Sequence, residues 1–84
     1  MTKTPFSRRL QQLREERSLS QGELAARLQR AGVPKVSQGE ISNWERRAGW
    51  RLYPAAFVAL RRVLHLTDEE ARELVLLWAY DTTL

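Results

Sequence analysis

The tetrapeptide Ser-Gln-Gly-Glu stands twice in this chain, at residues 20–23 and 37–40, each time just ahead of apolar residues at helical spacing. A serine that caps the third amide after it, with a glutamate there reaching back to the serine N–H, is a capping box, so a helix is predicted to start at each copy. Thr67 to Glu70 forms a third box. Thr4-Pro5 is a cap followed by proline at the first helical position, and after a short loop Pro54 opens a further helix. Five helix starts in 84 residues leave little chain for anything else, and no stretch alternates with the period-two pattern of strands. An all-α fold of five helices is predicted.

The first helix runs from Pro5 to about Arg17 with Phe6, Leu10 and Leu13 on one face. The second carries Leu24, Ala25 and Leu28 to about Arg30, and the third carries Ile41 and Trp44 to about Arg47. Gly32 and Pro34 mark residues 31–36 as the turn between them. The fourth helix presents Phe57, Leu60 and Leu64 inward with Val58 and Val63 beside them. In the fifth, Leu-Val-Leu-Leu-Trp-Ala-Tyr from Leu74 is apolar all round. The expected inward face is Ala71, Leu74, Val75 and Trp78, which leaves Leu76, Leu77 and Tyr80 over, because so short a chain cannot cover both sides.

One domain is expected, a body of residues 1–66 and a C-terminal helix of residues 67–84 that belongs to it. With no cysteine and His65 as the single histidine, neither a disulfide framework nor a zinc module can be assembled, and no cofactor is expected. The start, Met1-Thr2-Lys3-Thr4-Pro5, has no apolar targeting run, and Leu74 to Tyr80 is too short to span a bilayer, so a cytoplasmic protein is expected. A hydrolase or transferase would need a nucleophile, a base and a phosphate- or oxyanion-binding loop, and the sequence offers none of these sets. The expectation is that the chain is not an enzyme. His65 reads instead as a helix-end residue.

Charge is divided unevenly. Residues 1–66 hold thirteen Lys or Arg against five Asp or Glu, while residues 67–84 hold one against five. A basic body suits a polyanion, because each cation set on a phosphate releases condensed counterions, and an acidic segment is best kept off that surface. A basic solvated surface would show the same totals, so charge alone leaves the two readings level.

The order of a helix, two short capped helices around a turn, and a further helix is the layout of a helix-turn-helix. The stretch Arg14-Glu15-Glu16-Arg17-Ser18-Leu19-Ser20-Gln21-Gly22-Glu23-Leu24-Ala25-Ala26-Arg27-Leu28, followed by Val36-Ser37-Gln38-Gly39-Glu40-Ile41-Ser42-Asn43-Trp44-Glu45-Arg46, resembles the Cro and lambda-repressor-like helix-turn-helix family, also called the xenobiotic response element type. The resemblance covers about residues 6–66. It implies a five-helix lambda-repressor-like domain that binds double-stranded DNA through its third helix, with the second and third helices forming the helix-turn-helix. Glu45 matches a family position that pairs with a basic residue of the first helix, for which Arg14 is the candidate.

With Ile41 and Trp44 in the core, Gln38, Gly39, Ser42 and Asn43 remain to face bases, and the resemblance places Gln38, Gly39 and Asn43 where family members read base edges. Gln or Asn can offer adenine a donor and an acceptor together. Gly39 would either admit the backbone to a phosphate or thymine methyl, or simply ease the first turn. Phosphate contacts are expected from Gln21 at the start of the second helix, following the family, and from Lys35, Arg46, Arg47 and Arg51. Arg61 and Arg62 read better as solvated side chains, and Glu40 is taken up by its capping box. Two departures from the family stand out. The span from Leu28 to Ile41 is about six residues longer than the compact turn, so the second helix extends or the turn bulges. The loop before Pro54 is also longer and carries Trp50, Arg51 and Tyr53, which touch DNA or pack on the core.

These readings make the chain a bacterial or phage-like transcription regulator, a repressor binding a palindromic operator as a homodimer through Leu76, Leu77 and Tyr80. The alternative is an antitoxin or adaptor whose C-terminal helix holds a different protein, such as a toxin or RNA polymerase.

Overall fold

A computed structural model describes residues 4–46 and 52–83. It contains α1 (Pro5–Glu16), α2 (Gln21–Arg30), α3 (Gln38–Arg46), α4 (Pro54–Val63) and α5 (Asp68–Thr83). Each begins where a cap or a proline is expected, and α4 starts at Pro54 behind Tyr53 with no side-chain cap. Thr4 accepts from the Ser7 amide at 3.1 Å, and the boxes at Ser20 and Thr67 close in both directions. At Ser37 only the serine half forms, Glu40 N to Ser37 Oγ at 3.3 Å. The expected return bond, donated by the Ser37 amide to the Glu40 carboxylate, is not made among the described residues. Two helix ends are finished by non-glycine residues with positive φ, Ser18 at 56° and His65 at 52°.

α1 packs on α3 and α5, and α2 packs on α3 and α4. Phe6, Leu10, Leu13, Leu24, Ala25, Leu28, Ile41, Trp44, Leu60, Leu64 and Leu74 are all buried, as their spacing requires. The turn of residues 31–37 bulges while α2 keeps its expected end. Val33 and Val36 are buried in it, and Gln29 Nε2 donates to the Val36 carbonyl at 2.8 Å. The extra length is thus pegged to the core from both sides. Gly32, at φ 101°, supplies the reversal after α2 that a side chain would resist.

Two faces differ from expectation. On α4, Ala56 and Ala59 lie in the core with Leu60, whereas Val58 is exposed. On α5, Leu77 packs against the core and Val75 is 46% exposed, the reverse of the expected assignment. The helix is rotated about its axis by roughly half a residue step, at about 100° per residue. Contacts on that side account for the phase. Trp78 meets Phe57 edge-on at 5.4 Å between centroids, Phe57 meets Phe6 at 6.2 Å, and Glu73 pairs with Arg9 at 2.9 Å.

Arg17, just past α1, ties three helix ends together. It donates to the carbonyls of Leu13 and Leu64 and to the Glu70 carboxylate, at 3.2, 2.7 and 3.0 Å. Arg61 and Asp68 pair across the α4–α5 corner. Among the described residues no helix is long and apolar enough to cross a membrane.

Candidate nucleic-acid interface

The α2–α3 unit is held by a buried ion pair. Arg14 places Nε 2.7 Å from Glu45 Oε2 and Nη2 2.9 Å from Oε1, a two-pronged contact, and gives Nη1 to the Leu19 carbonyl at 2.7 Å. The bond to Glu45 raises the Arg14 guanidinium above its ordinary value against the opposing effect of burial. Glu45 also accepts from Gln21 Nε2 at 3.1 Å. One carboxylate therefore joins the end of α1, the start of α2 and the last turn of α3. The partner expected for Glu45 is the one observed, and its position in the core makes the role structural.

A second tie is not legible in the sequence. Ser7 is fully buried on α1 and donates from Oγ to the Trp44 carbonyl at 2.5 Å. No sequence signal separates this serine from the polar residues around it. Its value lies in giving one late α3 carbonyl a fixed partner.

With Ile41, Trp44 and Glu45 held inward, the opposite face of α3 is bare. Gln38, Gly39, Asn43 and Arg46 are exposed and Ser42 is half-buried. The expected base-facing set thus shares one face. A Cβ added to Gly39 would meet nothing nearer than Ser37 Oγ at 3.6 Å, so the glycine makes an open notch. Gln38 lies at the α2–α3 junction, since a Cβ on Gly22 would come 3.4 Å from its Oε1. Arg46 Nη2 donates to Asn43 Oδ1 at 3.1 Å.

Among the residues expected on phosphate, Gln21 is half-buried with one amide hydrogen held by Glu45. The backbone N–H groups of Gln21 and Gly22 precede the first bond of α2, made by Leu24 N to Ser20 O at 3.0 Å, and so form the positive end of that helix. Lys35 is exposed in the turn. Arg47 and Arg51 lie outside the described residues, as does Trp50, while Tyr53 is 39% exposed ahead of α4. On α5, Leu76 and Tyr80 are exposed and Leu77 is not among the residues left over.

A helix held by its inner face, with a polar outer face beside the amino end of a second helix, defines the DNA-binding helix-turn-helix class. Residues 5–74 match the family model described as "Helix-turn-helix domain", and the chain belongs to that family. Among the described residues, five helices and no strand accord with the Cro and lambda-repressor-like arrangement. Comparisons with curated proteins and with solved structures found no match.

Proposed function

We propose that the protein is a transcription repressor that binds a palindromic operator in double-stranded DNA as a homodimer and works in the cytoplasm on the nucleoid. The observation that carries this reading is the Arg14–Glu45–Gln21 cluster, which fixes α2 and α3 as one body and leaves Gln38, Gly39, Ser42 and Asn43 on the outer face of α3. In a major groove Gln38, Ser42 and Asn43 meet base edges with Gly39 between them, while the start of α2, Lys35, Arg47 and Arg51, with Arg46 at the end of α3, lie within reach of phosphates.

Dimerisation follows from the reach of a single short helix. Two copies about 34 Å apart read twice as many bases as one, and a two-fold pair requires an inverted repeat. In this reading the interface uses Leu76 and Tyr80 on α5, joined by the exposed Val75, with Leu77 lining its inner edge. Sedimentation of Leu76→Asp should show a monomer where the parent shows a dimer, and an unchanged mass would rule the surface out.

Selection of sites from a random duplex pool at about 150 mM salt tests the whole reading, because non-specific phosphate binding is already weakened there. An enriched inverted repeat is expected. A single half-site would keep base reading and remove the symmetric dimer, and no enrichment by folded protein would overturn sequence-specific recognition.

A further inference from the structure

We infer that Arg46 and Asn43 form one hydrogen-bond donor unit that reads guanine, so that Arg46 determines sequence rather than serving only as a phosphate clamp. The inference rests on α3 being the helix that enters the groove. Its basis is the bond from Arg46 Nη2 to Asn43 Oδ1 at 3.1 Å between two exposed side chains.

Position on the helix supports a base-facing Arg46. At about 100° per residue, Arg46 falls between the directions of Ser42 and Gly39, in the middle of the exposed face and opposite Ile41 and Trp44. Helical side chains lean toward the amino end, so a long residue at 46 lies over positions 42 and 43. Neither neighbour obstructs it. Gly39 is an open notch, and Ser42 carries a short side chain. The bond to Asn43 then holds the guanidinium over the face that meets base edges.

Pairing also changes what Asn43 can offer. A free carboxamide presents one acceptor and one donor, the complement of adenine N7 and N6–H₂. Here the cationic guanidinium sits on Oδ1, and an approaching adenine amino group would be repelled by it. The outward surface of the pair is therefore made of donors, the Asn43 Nδ2–H₂ group and the remaining N–H groups of Arg46. Guanine, with N7 and O6 both acceptors, is the base edge that matches this surface.

The test is site selection with the parent, Arg46→Ala and Arg46→Lys, with helical content compared by circular dichroism; Arg46 is exposed, and both variants should fold. The parent should enrich a site containing one guanine per half-site that both variants lose, with binding to that site falling about tenfold or more. Arg46→Ala should enrich adenine at the same position, because the Asn43 carboxamide is released. Arg46→Lys keeps the charge without the planar fork, so restoration of the parent site by lysine would overturn the inference in favour of a phosphate clamp. A uniform loss on all sequences with an unchanged site would do the same, and both results would leave sequence-specific recognition by α3 standing. Loss of guanine without gain of adenine would overturn the pairing with Asn43. Absence of any enriched site with the parent would remove both this inference and the reading beneath it.

Discussion

The two copies of Ser-Gln-Gly-Glu start two helices of almost equal length, yet their surroundings give the same four residues different tasks. At α2 the box closes fully, Gln21 turns inward to Glu45, and Gly22 lies against the Gln38 side chain. At α3 only Ser37 caps, Gln38 is exposed, and Gly39 has just the Ser37 hydroxyl beside it. The first copy serves to hold the pair of helices together, and the second to present a surface. Local chemistry decides where a helix begins, whereas tertiary neighbours decide what its first turn is for.

The largest test removes the cation from the cluster to which the α2 copy alone is tied, through Gln21. Arg14→Met should cost about 3–5 kcal/mol in urea unfolding, because it leaves the Glu45 carboxylate buried without its cation. The double variant Arg14→Met/Glu45→Leu should recover most of that loss. A single variant as stable as the parent would break the claim that this pair holds the unit.

A smaller effect separates the caps. Ser20→Ala should cost about 1 kcal/mol, and Ser37→Ala measurably less, since its single bond at 3.3 Å has no return partner. Equal costs by chemical denaturation would erase the difference between the two boxes. Smaller again are the glycines. Gly39→Ala should leave stability unchanged or raise it by up to about 1 kcal/mol while lowering affinity for the selected site, because in the proposed complex the added methyl would stand between α3 and the DNA. Full affinity in that variant would assign Gly39 to easing the helix start.

The closed boxes also predict a pH dependence. Glu23 is held below its ordinary value of 4.5 first by the Ser20 backbone N–H, and Glu70 likewise by that of Thr67, with Arg17 adding to the effect. Carboxyls depressed in the folded chain contribute stability that is complete above 4.5 and disappears as pH falls through the lower folded values. The thermal midpoint should therefore drop on acidification below about pH 4.5, and Glu23→Gln should flatten part of that drop. A slope identical to the parent would remove Glu23 as a contributor.

Helix starts and most of the core are legible because capping residues and apolar spacing act over a few residues. Leu10, Leu28, Ile41 and Trp44 are where their periodicity puts them. The phase of α5 is not, since a segment apolar on every side has no polar face to orient it, and tertiary contacts such as those from Phe57 and Arg9 choose between Val75 and Leu77. Val58 departs from its expected place because alanines at 56 and 59 let α4 approach closely on a face that residue size alone does not advertise. In the site, the polar positions of α3 can be read from what Ile41 and Trp44 exclude. The Ser7 and Arg46 bonds cannot, because each depends on where a second side chain or carbonyl lies in space.

The bulged turn between α2 and α3 has a kinetic consequence. Val33, Val36 and the Gln29 bond give this longer connection its final shape before any ligand arrives. The entropy of ordering it belongs to folding, so an encounter with DNA carries no waiting time for this segment to settle, and its association rate is governed by diffusion, charge and orientation.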